Sequence, residues 1–169
     1  MKNYTLSDRF TIDFMAGLAR WVNDPRNRLR MNAYPRNVSP EDLANHLQNG
    51  KVANRHFAGI QHHRSGIWIG LFEVTVDTRH FNASLEAMPD LASPHLDAAL
   101  SETLPALTAL LATRGLEKAI AKLPETDELL LHHLPRAGWT KEAHFCSELE
   151  SRSDPSKRLD LIQFGKTLK

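Results

Sequence analysis

Cys146 is the only cysteine among 169 residues, so no intramolecular disulfide can form. That suits a reducing compartment, and a cytoplasmic location is the expectation. Charge of one sign is not in excess either: 21 Lys and Arg face 20 Asp and Glu, a net charge of +1. A chain without a strong positive field lacks the main drive for sequence-independent phosphate binding. Neither nucleic acid nor an anionic membrane surface is therefore an expected partner. No apolar run approaches the ~20 residues of a helical membrane span. The opening Met1-Lys2-Asn3-Tyr4-Thr5 lacks the apolar core of a secretory signal. There is no internal repeat, low-complexity tract or linker. Histidine is plentiful at nine, but no H-x-x-x-H or H-E-x-x-H spacing occurs. His62-His63 and His132-His133 are adjacent pairs, whose side chains diverge on a strand or helix, so no metal site is expected. Ser101 lacks the G-x-S-x-G setting of a hydrolase nucleophile. Cys146 shares a strand face with His144, yet nothing else there suggests a thiolate site.

What remains is an ordinary globular composition, 41% hydrophobic and 24% charged. One domain over residues 1–169 is expected, large enough to bury about 70% of its unfolded surface. Ile12, Phe14, Met15, Leu18, Ala19, Trp21 and Val22 repeat at helical spacing, and Asn23-Asp24-Pro25 stops that helix. Residues 26–38 read as basic and irregular. Ser39 as N-cap, Pro40 at the first position and acidic Glu41 and Asp42 open a second helix that runs to Asn49-Gly50.

Strands follow at 56–62, 67–76 and 83–88, an antiparallel meander turned by Arg64-Ser65-Gly66 and by Asp77 to Asn82. Leu96, Leu100, Leu104, Leu107 and Leu111 share one helical face. Pro105 is expected to kink that helix or to mark its true start. Residues 116–123 read as a strand, 125–136 as a helix closed by Ala137-Gly138, and 139–149 with 158–165 as a hairpin. A strand also fits Tyr4 to Phe10. The fold class is α/β (α+β by some definitions): a mixed, mostly antiparallel sheet of six to seven strands flanked by about four helices.

This order resembles the GCN5-related N-acetyltransferase (GNAT) superfamily, most nearly its ribosomal-protein-alanine acetyltransferase branch. Trp21-Val22-Asn23-Asp24-Pro25 is similar to the branch's hydrophobic-N-D-P phrase. Ser39-Pro40-Glu41-Asp42 stands where its second helix begins, and HFAGI…SGIWIG over 56–70 resembles its second and third strands. Asp77 to Leu85 is similar to the next turn and fourth strand, and Arg136-Ala137-Gly138-Trp139 to the closing x-x-G-F. The resemblance spans nearly the whole chain.

It implies an acetyl-CoA-dependent transfer to an amine acceptor, with acetyl-CoA as co-substrate. The family's pyrophosphate loop, Arg/Gln-x-x-Gly-x-Gly/Ala at a helix start, maps onto Leu96, Asp97, Ala98, Ala99, Leu100 and Ser101. Leu96 and Ala98 replace the two glycines there, and Asp97 adds a carboxylate. Ala87 and Met88 fall where a fourth-strand backbone amide holds the acyl carbonyl. Glu86 and Ser84, two residues apart on one face, fall where the family carries an acidic base. The usual acid tyrosine falls on Leu134, with His133 beside it as a substitute. The helix-opening asparagine falls on Asp127. Arg28, Arg30 and Tyr34 lie in the segment that lines the acceptor groove, where arginines suit an anionic acceptor. Two readings stand: an N-acetyltransferase, or a non-catalytic relative that binds a ligand or protein. Either admits a homodimer.

Overall fold

The structure, a computed structural model, describes residues 3–33, 37–50 and 54–168. A seven-stranded sheet runs in the order β1-β2-β3-β4-β5-β7-β6. Its strands are β1 (Tyr4–Ser7), β2 (Arg55–His62), β3 (Trp68–Asp77), β4 (Asn82–Pro89), β5 (Lys118–Pro124), β6 (Thr140–Glu150) and β7 (Arg158–Thr167). The helices are α1 (Ile12–Asn23), α2 (Pro25–Arg30), α3 (Pro40–Asn49), α4 (Leu96–Thr113) and α5 (Glu128–Arg136).

Among the described residues there are thus five helices rather than about four. The extra one is α2, at the start of the segment read as irregular. Pro25 does not only end α1. Asp24 closes α1 with its backbone N–H on the Trp21 carbonyl, and its carboxylate accepts from the Arg26 N–H to cap α2. At α3 the expected cap is present in full: Ser39 accepts from the Asp42 N–H, and the Asp42 carboxylate accepts in return from the Ser39 N–H. α4 runs unbroken from Leu96 through Pro105 to Thr113, so Pro105 does not mark its start. Pro105 lies on the exposed side of the helix, where the carbonyl it cannot satisfy meets water.

The sheet is sandwiched between two helical layers. On one face Ala83, Leu85 and Ala87 of β4 pack with Ala99, Leu100 and Leu104 of α4 and with Leu130 and Leu134 of α5. On the other, Leu71 and Met88 pack with Phe14, Leu18 and Trp21 of α1 and Leu43 of α3. The alternation along β4 divides these faces: Ser84, Glu86 and Met88 lie opposite the buried Ala83, Leu85 and Ala87.

At Gly70, β3 and β4 approach too closely for a side chain. A Cβ there would stand 3.0 Å from the Pro89 Cα and 3.1 Å from the Met88 carbonyl oxygen. Both are backbone atoms of the neighbouring strand and cannot rotate away. Gly70→Ala is expected to lower stability by about 1–3 kcal/mol, read as a lower urea midpoint.

All neighbouring strands pair antiparallel except β4 and β5, which are parallel and joined across α4. Their pairing covers only Asn82, Ala83 and Ser84 against Lys118, Ala119 and Ile120. Beyond it β4 continues beside β3 to Pro89, and β5 continues beside β7 to Pro124. The two strands part into a cleft at the centre of the sheet.

Candidate active site

Where β4 leaves β5, half of its backbone groups lose their ladder partners. Ala87 and Pro89 direct their carbonyls into the cleft. The Arg30 guanidinium donates to the first (Nη2 to O, 2.5 Å) and the Asn27 side-chain amide to the second (Nδ2 to O, 2.9 Å). The Met88 carbonyl instead lies against Gly70 of β3. Residues alternate along a strand, so it is the Ala87 N–H, not that of Met88, which faces the cleft.

On the α1–α3 face of the sheet, just past the point where β4 leaves β5, two carboxylates meet. Glu86 of β4 and Glu73 of β3 are direct cross-strand partners, so their carboxylates share one face at close range. Glu73 has its own cations. His46 Nε2 lies 2.9 Å from one carboxylate oxygen and Arg55 Nε 3.5 Å from the other. Glu86 has no hydrogen bond or ion pair among the described residues. Its surface is open to water, yet enough protein surrounds the carboxylate to disfavour its charge. Its pKa is raised above the ordinary carboxylate value, by desolvation first and by the Glu73 charge second, against Arg55 and His46. An unpaired carboxylate with a raised pKa beside a cleft makes Glu86 a candidate general base. Ser84 is exposed on the same face.

At the other side of the cleft stands the first turn of α4. The Leu96 N–H bonds to the Ser93 carbonyl and the Ala99 N–H to the His95 carbonyl. The amides of Asp97 and Ala98 meet no acceptor among the described residues, as expected for a helix start. Of the expected loop residues, Ala99 and Leu100 have fully buried side chains and Leu96 is almost so, and the amides of Leu96 and Ala99 are already bonded. Ala98 and Ser101 are exposed. Asp97 points its carboxylate outward, towards His133 of α5. His133, the expected substitute for the acid tyrosine, is buried against α4. Burial lowers its pKa, outweighing the Asp97 charge that raises it. Leu134, at the expected tyrosine position, is core.

Two expected site residues are corrected. Arg30 does not line an acceptor groove. It is buried, with Nη1 2.5 Å from Asp127 Oδ2 and Nη2 on the Ala87 carbonyl. Asp127 caps α5 by accepting from the Leu130 N–H and is occupied by Arg30. Burial pushes its carboxyl up, against the pull of Arg30 and Leu130. Neither is free to meet a ligand while this pair holds. Arg28 donates to Asn23 and Asn37 and lines a small pocket of α2 with Leu29, Asn32 and Ala33, closed by Arg152 and Leu159. Arg26 pairs with Asp24. Arg26, Arg28 and Arg30 are thus engaged by neighbours. Tyr34 lies outside the described residues.

The residues missed from the sequence are Asn27, Glu73, His46 and Arg55. Asn27 is buried and ties the Trp21 and Pro89 carbonyls together. The signal for Glu73 was present, as the one charge inside the apolar run IWIGLFEVTV.

No family model matches the chain, and no curated protein matches it by sequence. Solved structures do match. A spermidine N-acetyltransferase from Vibrio cholerae, in complex with CoA and spermine, superposes with a TM-score of 0.81 at 14% identity. The match covers 98% of this chain and 96% of that one. An acetyltransferase of the GNAT family from Bacillus anthracis gives 0.79 at 11% identity, over 98% and 95%. At such identities the likeness is one of fold, and the fold is the GNAT acyltransferase fold.

Proposed function

We propose that the protein transfers an acetyl group from acetyl-CoA to an amine by direct attack on the thioester. The observation that carries this reading is the unpaired Glu86 carboxylate, its pKa raised, beside the parted edge of β4. The amine nitrogen attacks the thioester carbonyl carbon, the C–N bond forms and the C–S bond breaks. Glu86 takes the proton that the attacking nitrogen gives up, and Ser84 lies two residues along the same face. The Ala87 N–H serves the developing oxyanion. CoA leaves as a thiolate, a far better leaving group than the amine, so no dedicated acid is required for C–S cleavage. That relieves His133 of the proton-donor role, for which its lowered pKa suits it poorly.

The first-turn amides of Asp97 and Ala98 suit the pyrophosphate of acetyl-CoA. The fit is incomplete: the Asp97 carboxylate repels it, and Arg30 occupies the Ala87 carbonyl that a strand-like pantetheine arm would meet. A second reading follows from those two features, a fold relative that binds without catalysis.

Beside the parted edge of β4, Glu86 and Glu73 set two carboxylates against one arginine and one histidine, which suits a cationic amine better than an anionic one. The V. cholerae neighbour, described with spermine, adds weight to that acceptor class. The phrases shared with the ribosomal-protein-alanine branch make a protein N-terminus the other amine to try. The test is calorimetric titration with acetyl-CoA and, separately, CoA. Binding with a Kd in the micromolar range, about −8 kcal/mol, is expected, followed by turnover on a panel of polyamines and peptides. No heat and no thermal shift at millimolar acetyl-CoA would sink the enzyme reading and leave the second one standing.

A further inference from the structure

We propose that Asp97 of α4 and His132 and His133 of α5 form a binding site for a divalent transition-metal ion of the zinc class. The three donor atoms all lie within 4.8 Å of one another. Two donors about 2.0–2.1 Å from a shared ion in tetrahedral geometry stand about 3.3 Å apart. His133 Nε2 and Asp97 Oδ1 are already separated by 3.3 Å. That contact is the only hydrogen-bond-range polar neighbour of the buried His133 ring among the described residues. The expectation that adjacent histidines diverge fails here. The His132 and His133 rings stand edge to face with centroids 5.2 Å apart, and both border the Asp97 carboxylate.

The site is half built and half adjustable. His133 is fixed by the packing of α5 on α4. His132 and Asp97 are exposed and can rotate the remaining distance without moving backbone. Two imidazoles and one carboxylate select zinc, nickel or copper over magnesium or calcium, which prefer all-oxygen shells. Three protein ligands leave a fourth position open to water or an anionic group. The ion would clip α4 to α5 at the mouth of the cleft. This holds whether or not the chain is an acetyltransferase.

A second cluster on the β6–β7 hairpin brings together His144, Cys146 and Asp160. It already has an internal pairing, His144 Nε2 to Asp160 Oδ2 at 2.6 Å. The experiment must separate the two. Metal-free protein is titrated with zinc chloride by calorimetry and with cobalt chloride by absorption. One zinc site of micromolar Kd or tighter is expected, with no comparable magnesium binding. The exposed substitutions His132→Ala and Asp97→Asn should each weaken it at least ten-fold while the fold, read by circular dichroism, is kept. Cys146→Ser should leave it unchanged, and cobalt should show no thiolate charge-transfer band from it. The proposal is overturned by a folded protein that binds no zinc, by zinc binding that survives both substitutions, or by binding that disappears with Cys146→Ser. Failure here would leave acetyl-CoA binding and turnover untouched, so the two ideas fail separately.

Discussion

Glu86→Gln lowers kcat/KM for acetyl transfer by about 10²–10⁴-fold, and leaves acetyl-CoA affinity and the fold intact. Gln keeps the size of the side chain and loses the ability to accept a proton. With wild-type protein the rate should rise with pH through a pKa above the ordinary carboxylate range, because burial and the Glu73 charge hold that group up. In the Gln variant this limb disappears. Glu73→Gln tests the cause of the shift: with the repelling charge gone, the limb moves to lower pH. Stability should respond in the opposite sense. A carboxyl whose folded pKa exceeds its unfolded value binds its proton more tightly in the native state. Wild-type stability therefore falls as pH rises from the unfolded value through the folded one. Glu86→Gln removes that loss, so at neutral pH its Tm is at least that of wild type. An active Glu86→Gln variant with an unchanged pH profile would remove Glu86 from the chemistry.

The strands, the α4 crossover and the closing hairpin were legible because each repeats its own period over enough residues to stand above its neighbours. HFAGI and IWIGLFEVTV read as strands, and the leucines of α4 as one helical face. α2 was hidden because Asp24-Pro25 serves two signals at once, ending one helix and opening the next. Glu86 was singled out by the resemblance of β4 to the family's fourth strand, but its partner across the sheet was not legible, since register between strands is set by packing. The parting of β4 and β5 has no local sequence mark at all. Nor has the joining of Arg30 to Asp127, which lie 97 positions apart. His132 and His133 follow the helical rule, about 100° per residue. That rule places Cβ atoms, and imidazoles are long enough to lean back towards a common point.

Arg30→Met is expected to destabilise the protein by about 3–5 kcal/mol, the largest stability effect of any single change considered. Arg30 joins three elements: its own α2, the Ala87 carbonyl of β4 and the Asp127 carboxylate that caps α5. Removing it strands a carboxylate that is almost wholly buried, with the Leu130 N–H as its one remaining hydrogen bond. It also leaves the Ala87 carbonyl in the cleft without a donor. Because the stranded Asp127 can escape by taking up a proton, the deficit of Arg30→Met should shrink as pH falls and the carboxyl is neutralised. Urea unfolding of both proteins between neutral and mildly acidic pH reads this directly. Arg30→Met combined with Asp127→Asn separates the pair from the shape it occupies. The double variant carries no buried charge, so it should regain much of the lost stability, and the cycle should show a coupling well above that of a surface pair. Additive losses would mean that the pair contributes little and that α2 is held by Asn27 and packing alone. The same double variant reports on the cleft. With the Ala87 carbonyl released, a ligand that pairs with the parted edge of β4 no longer competes with a guanidinium, and acetyl-CoA affinity should increase. A fall in affinity would instead make Arg30 part of the surface that receives the acyl-CoA.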